Sequence, residues 1–166
     1  MRAAIVYYSC TGNTARLAEL IHQALKERGV ESANLRIKSP VSNRAFLKQG
    51  WDAFRRKKAV VEDVNFDLSG YDLVFMGSPV WAFSPAPPVN TYLAECQGLK
   101  GKSAVTFLTY GSGVGKGRAQ DLIKKALLDK GAKKVTSIAA GEMGLRTNLA
   151  GVKRKVIKLI EELQSS

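Results

Sequence analysis

The stretch Ser9-Cys10-Thr11-Gly12-Asn13-Thr14 decides the fold, because it separates two segments of different periodicity. Residues 3–8 before it form a continuous apolar run rich in β-formers, which is typical of a strand buried on both faces. From Ala15 onward, apolar residues recur with helical spacing at Leu17, Ala18, Ile21, Ala24 and Leu25. The stretch, called here the first loop (residues 9–14), therefore joins the carboxyl end of a strand to the amino end of a helix.

Such a junction attracts anions, because unpaired backbone N–H groups meet the positive end of the helix dipole there. Ser9, Thr11 and Thr14 add three hydroxyl donors, and Gly12 lets the backbone approach a ligand closely. The first loop carries no Lys or Arg, so we expect it to bind a phosphate through neutral dipoles. The alternative is that these residues only cap the helix.

A second loop (residues 78–89) follows the apolar strand predicted at residues 73–77. It contains four of the five prolines of the chain, and they stiffen the backbone that carries Trp81 and Phe83. A tryptophan among prolines, beyond the carboxyl end of a strand, is poorly placed for the core. Both aromatic side chains are therefore candidates to contact a flat ring. A helix is predicted to follow, from Val89 to Cys96.

A third loop (residues 109–117) is rich in glycine and follows the strand predicted at residues 104–108. It fits neither common nucleotide motif. Tyr110 stands where a Walker A loop needs its first Gly, and Gly117 stands where that motif needs Ser or Thr. A G-x-G-x-x-G pattern fails at Lys116 or Arg118, depending on its starting position. The third loop is thus predicted to expose backbone amides after a strand.

The remaining segments complete an alternating pattern. An edge strand is predicted at residues 32–38 and a further strand at residues 133–140, with a short loop at residues 141–144. Helices are predicted at residues 119–130 and 147–163, and an amphipathic basic helix at residues 43–58. Five alternations of strand and helix indicate an α/β doubly wound parallel sheet, in a single domain spanning residues 1–166.

The three loops resemble those of the flavodoxin family. The first loop resembles its phosphate loop, (S/T)-x-T-G-x-T, residues 77–82 resemble its G-(T/S)-P-V-W-A pattern, and the third loop matches by position. The resemblance implies a flavodoxin-like five-stranded sheet of order 2-1-3-4-5 with helices on both faces, an extra helix between strands 2 and 3, and FMN as cofactor. The residues it implies for cofactor binding are Ser9, Cys10, Thr11, Gly12, Asn13, Thr14, Ser78, Pro79, Val80, Trp81, Ala82, Phe83, Thr109, Tyr110, Gly111, Ser112 and Gly113.

The resemblance also implies a role for each loop. The first loop would hold the 5′-phosphate, Trp81 would stack on the isoalloxazine with Phe83 as a second candidate, and the third loop would cup the pyrimidine edge. One position departs from the family pattern. Ala82 stands where flavodoxins usually have Gly, and its Cβ is expected to disfavour a positive φ.

By this resemblance the expected function is electron transfer between redox partners through bound FMN. No catalytic residue and no metal site are predicted, because His22 is expected at the surface and Cys10 and Cys96 have no metal-type spacing. One alternative is an NAD(P)H-dependent FMN or quinone reductase of the same fold, with Lys116 and Arg118 meeting the nucleotide phosphates. Another, based on charge alone, is a module that binds nucleic acid or a membrane surface.

The formal net charge of +12 contrasts with flavodoxins, which are usually acidic. It favours acidic partners such as ferredoxin-like donors. Neither membrane association nor nucleic-acid binding is expected, because no apolar run reaches about 18 residues and the aromatic residues at 43–58 have helical spacing. The absence of a signal-peptide pattern makes the cytoplasm the expected location.

Overall fold

The computed structural model describes residues 1–40 and 60–165 of the chain. Its strands are β1 (Arg2–Tyr7), β2 (Glu31–Arg36), β3 (Leu73–Trp81), β4 (Ser84–Pro85), β5 (Ser103–Tyr110) and β6 (Lys134–Gly141). Its helices are α1 (Asn13–Glu27), α2 (Pro87–Glu95), α3 (Lys116–Asp129), α4 (Glu142–Thr147) and α5 (Leu149–Gln164). The helix predicted at residues 43–58 lies outside the described residues.

The five long strands form one parallel sheet in the order β2-β1-β3-β5-β6, and the short β4 pairs antiparallel with the end of β3. Without β4 this is the predicted order 2-1-3-4-5, so the flavodoxin-like fold is confirmed. The strand order reverses between β1 and β3. Ligands of open parallel sheets bind beyond the carboxyl ends of the strands at such a reversal.

Each face of the sheet has its own core, because side chains of a strand point alternately to opposite faces. Ile5, Phe75 and Phe107 are fully buried on the face covered by α1 and α5. Val6 and Met76 are fully buried on the other face, under α2 and α3. The continuous apolar runs of β1, β3 and β5 follow from burial on both sides. The half-exposed β2 lies at one edge, as its alternating sequence predicts.

The strand before the second loop is longer than predicted, because β3 continues to Trp81 and turns back into β4. The turn consists of Ala82 and Phe83, with φ of 38° and 70°. A two-residue hairpin with a type I′ turn needs positive φ at both of its central residues. The expectation that Ala82 avoids positive φ is therefore wrong, because hairpin geometry overrides a local preference of about 1–2 kcal/mol.

The boundaries around the last strand also differ from the prediction. Residues 142–147, predicted as loop and the start of the final helix, form the separate short helix α4, and α5 begins at Leu149. Asn148 causes this division, since its side-chain Oδ1 accepts a hydrogen bond from the N–H of Gly151 at 3.0 Å and caps α5. In the described part of the chain, no helix is both long enough and apolar enough to cross a bilayer.

Candidate cofactor-binding site

The first, second and third loops meet at the carboxyl edge of the sheet. Direct contacts join them in pairs. The hydroxyl oxygens of Thr14 and Thr109 lie 2.8 Å apart and connect the first loop to the third. Gly115 packs against Phe83 so closely that a Cβ at position 115 would lie 2.6 Å from the Phe83 Cα, which connects the third loop to the second. The three segments that the sequence singles out therefore form one continuous surface.

The first loop presents unused backbone donors. Within residues 1–40 and 60–165, no hydrogen bond engages the amide N–H groups of residues 10–14. Gly12 has a φ of 90°, and a Cβ there would meet no atom within 4 Å, so the loop faces open space. Capping accounts for only one donor at this end of α1, because Ser9 Oγ accepts from the N–H of Ala15 at 3.2 Å. The remaining amides are available to an anion.

The three hydroxyl groups of the first loop differ in accessibility. Thr11 is exposed, and its Oγ1 accepts a hydrogen bond from Asn13 Nδ2 at 3.1 Å, which leaves its own proton free to donate. Ser9 and Thr14 are both buried, and Thr14 packs against Thr109. Since only one proton lies between the two threonine oxygens, the pair retains a second proton that can be donated elsewhere. Thr11 and the amides are thus the most open donors.

The structure adds a cation that sequence reasoning missed. Arg36 is the last residue of β2 and lies beside Tyr7 in the parallel register. Its Nη2 donates to the backbone carbonyl of Ser9 at 3.2 Å. The expectation of a purely neutral site is therefore incomplete. Only the parallel pairing of β2 with β1 brings Arg36 to the loop after β1, so no local sequence signal points to it.

The charge of Arg36 also acts on two neighbouring tyrosines. Burial raises the pKa of Tyr7 and of Tyr8, and the charge of Arg36 acts in the opposite direction on the pKa of both phenols. The positive potential of Arg36 thus extends over the carboxyl end of β1.

In the second loop, Trp81 is held edge-on by Tyr8, with ring centroids 6.0 Å apart and planes at 88°. Trp81 is only partly buried and packs against the core under α2 and α3, and Phe83 is 49% exposed. Ser78 is fully buried, and its hydroxyl donates to the Pro79 carbonyl at 2.8 Å and accepts from the Ala86 N–H at 2.9 Å. Ser78 therefore holds the shape of the loop, while Pro79 and Val80 are partly buried beside it.

In the third loop, the Tyr110 ring lies between small residues and a cation. Cβ atoms built at Gly113 and Gly141 would lie 3.4 and 3.3 Å from this ring, and Lys116 Nζ lies 4.9 Å from its centroid. Gly111 and Ser112 are exposed, and their backbone can reach a ligand. Gly113, with a φ of 81°, turns the chain back toward α3.

Cys10 lies in the first loop but is poorly suited to redox chemistry. Its side chain is partly buried against the core under α2 and α3, and this burial raises the pKa of the thiol. A raised pKa lowers the fraction of thiolate, which is the reactive form. Among the described residues, no group of three His, Cys, Asp or Glu side chains is placed to hold a metal ion.

The donor set fits a phosphorylated, flat, partly apolar molecule. Unused amides and Thr11, with Arg36 nearby, suit a phosphate group. The partly exposed Trp81 suits an aromatic ring, and the exposed backbone of Gly111 and Ser112 suits a polar ring edge. Glycine at position 12 leaves the anion end open, since no side chain fills it.

Comparison with known proteins agrees with this geometry. A sequence model described as flavodoxin matches residues 2–137. A flavoprotein from Lactobacillus acidophilus NCFM, whose crystal structure was solved in complex with FMN, is 23% identical; the match covers 82% of this chain and 92% of that one, with a TM-score of 0.65. A flavodoxin from the domain Archaea is 21% identical over 99% of both chains, with a TM-score of 0.62.

The solution structure of the two-electron reduced flavodoxin from Megasphaera elsdenii is 26% identical; the match covers 82% of this chain and 85% of that one, with a TM-score of 0.57. A sequence search among curated proteins found no match. The family model covers well over half of the chain, and the strand order and the three converging loops agree with it. The chain belongs to the flavodoxin family.

Proposed function

We propose that this protein binds FMN non-covalently at the carboxyl edge of its sheet and transfers electrons between redox partner proteins. The observation that carries the proposal is the row of unengaged amides at residues 10–14, which sits at the positive end of α1 and within contact distance of the third loop. FMN is also the ligand of the Lactobacillus flavoprotein, which shares the fold.

In this proposal each loop contacts one part of the cofactor. The amides of residues 10–14 and the Thr11 hydroxyl donate to the 5′-phosphate, with Ser9 and Thr14 behind them. Trp81 covers one face of the isoalloxazine, and the backbone of residues 111–113 binds the pyrimidine edge beside Tyr110. FMN supplies the chemistry, since it accepts and releases electrons, while the protein positions it and sets its electrostatic surroundings.

Electron transfer is favoured over catalysis on a substrate by what surrounds the site. The single histidine of the chain, His22, lies on α1 and pairs with Ser32 at 2.7 Å, near the amino end of β2. It is therefore far along α1 from the loops. A carrier needs only a cofactor edge and a docking surface, and in this proposal the exposed loops at this end of the sheet supply both.

The docking surface we propose combines exposed apolar residues with basic residues at the carboxyl edge of the sheet. Phe83, Val114 and Met143 are 49%, 64% and 72% exposed, and all three follow strand ends at the carboxyl edge. Lys116, Arg118 and Arg146 lie on the helices that start at the same edge. Charge complementarity points to an acidic redox protein, such as a ferredoxin-like donor, as the partner.

The reductase alternative is supported by one feature, the cations at the start of α3. Lys116 over the Tyr110 ring and the exposed Arg118 could meet the phosphates of NAD(P)H.

Mixing the FMN-loaded protein with NADPH in the absence of oxygen distinguishes an electron carrier from a reductase. A carrier keeps its yellow absorbance for minutes and is bleached only when an electron-donor protein or dithionite is added. Rapid bleaching by NADPH alone would establish the reductase instead.

FMN binding itself is tested by titrating the apoprotein into FMN and following the flavin fluorescence. We expect strong quenching and a yellow protein that survives desalting. The matched variants are Trp81→Leu and Phe83→Leu. Loss of the stacking ring at Trp81 should raise the FMN Kd about tenfold or more, while Phe83→Leu should change it less than about threefold. Unchanged flavin fluorescence with wild-type protein would refute the proposal.

A further inference from the structure

We propose that Arg36 is a specificity residue of the phosphate site, and that it gives this chain a charge-based preference for phosphorylated FMN over unphosphorylated flavin. The inference rests on the proposed function and deepens it. The first loop itself carries no cation, so any formal positive charge at the phosphate must come from outside it.

The position of Arg36 is fixed by the sheet. Pairing of β1 with β2 sets Tyr7 opposite Arg36, and the hydrogen bond from Nη2 to the Ser9 carbonyl, at 3.2 Å, directs the guanidinium toward the first loop. That bond uses one of the five N–H donors of the side chain. The other four make no hydrogen bond within the described residues, and they are free to meet an anion.

The charge of Arg36 is not neutralised by a neighbouring carboxylate. Glu31 lies at the other end of the same strand, where its carboxylate pairs with Arg2 at 3.2 Å. Glu19 of α1 accepts from Gln23 at 3.0 Å and is exposed. No ion pair within the described residues involves Arg36.

The phosphate monoester of FMN carries about −1.5 to −2 charges at pH 7, and riboflavin carries none. Neutral dipoles alone bind such a dianion, but a guanidinium next to the loop strengthens the hydrogen bonds and adds an attraction that salt screens. Arg36 should therefore contribute to the affinity for FMN and not to the affinity for riboflavin.

The test compares Kd values for FMN and riboflavin, by fluorescence titration, in Arg36→Gln, Arg36→Lys and wild-type protein. Gln keeps a polar side chain with N–H donors but removes the charge, and Lys keeps the charge. Lys26→Gln is the matched control. It removes an equal charge from the last turn of α1, at the end of the helix far from the first loop.

We expect Arg36→Gln to raise the FMN Kd about tenfold, with riboflavin changed less than about twofold. Arg36→Lys should stay within about threefold of wild type for FMN. FMN binding by Arg36→Gln should also weaken less than wild-type binding when salt is raised from about 0.05 to 0.5 M. Lys26→Gln should follow wild type in all three measurements.

Equal losses for FMN and riboflavin in Arg36→Gln, with no rescue by Lys, would show that Arg36 only supports the loop, and the inference would be wrong. Unchanged FMN affinity in Arg36→Gln would also overturn it while leaving the proposed function intact. The failure of wild-type protein to bind FMN would instead remove the proposed function.

Discussion

The hydroxyl oxygens of Thr14 and Thr109 lie 2.8 Å apart in the buried centre of the site, although 95 positions separate them in the chain. Thr14 is in the first turn of α1 and Thr109 is next to the end of β5. Because β3 lies between β1 and β5 in the sheet, the contact links the phosphate-binding end to the third loop across β3. Both residues are almost inaccessible to solvent, so a water molecule cannot take the place of the missing partner when one hydroxyl is removed.

Replacing both members of this pair should cost less than the sum of the two single replacements. Thr109→Val leaves the Thr14 hydroxyl buried without a partner, a loss of about 1–3 kcal/mol in the free energy of unfolding. Thr14→Val should behave in the same way, and the double variant should lose less than the sum of the two. Urea denaturation of the four proteins gives a coupling of about 1 kcal/mol. Strict additivity would mean that the hydroxyls do not interact.

The close approach of β3 to β5 gives a second prediction. A Cβ at Gly77 would lie 2.1 Å from the ring of Phe107, its partner in the parallel register. Phe107 is fully buried and cannot swing away, so Gly77→Ala should lower the free energy of unfolding by about 1–3 kcal/mol or more. Gly70→Ala is the control, since a Cβ there meets nothing within 4 Å. Equal urea midpoints for both variants would contradict this packing.

The sequence predicts the sheet well because burial on both faces demands long apolar strands. β1, β3 and β5 are recognisable from composition alone, and the motif in the first loop indicates the phosphate end. Arg36 was not predicted, because its position depends on the register between two strands, which local patterns do not encode. The same holds for the burial of Ser78 and Thr109, whose hydroxyls bond inside the protein. The single-domain organisation and the identity of the partners stay predictions.

The chain should also contain no fast-reacting thiol. Burial raises the pKa of Cys10, and burial raises the pKa of Cys96 to about 11. Because only the thiolate reacts with iodoacetamide, a raised pKa means slower alkylation at pH 8 than for an exposed cysteine of pKa about 8.5. Mass spectrometry of the native protein should find Cys10 modified slowly, with a rate that still rises above pH 9, and Cys96 unmodified. Cys10→Ser assigns the signal, and a rate that levels off below pH 8.5 would contradict the environment described here.

The strained turn between β3 and β4 can be tested through Ala82. Its φ of 38° costs an alanine about 1–2 kcal/mol relative to glycine. Glycine in turn lowers the free energy of unfolding by about 0.4–1 kcal/mol, because it gives the unfolded chain more conformational freedom. Since the first term is larger, Ala82→Gly should raise the free energy of unfolding by about 0.5 kcal/mol.

Ala150→Gly provides the comparison, because Ala150 is exposed and lies in helix α5. Ala150 is the second residue of α5, so the substitution there should lower the free energy of unfolding by about 0.5 kcal/mol, the lower end of the cost of glycine inside a helix. Opposite signs at the two positions, measured by urea denaturation, would place Ala82 in the left-handed region. A loss at Ala82 as large as that at Ala150 would mean that the turn beside Trp81 relaxes to a negative φ in solution, and the ring-binding surface of the second loop would then differ from the one described here.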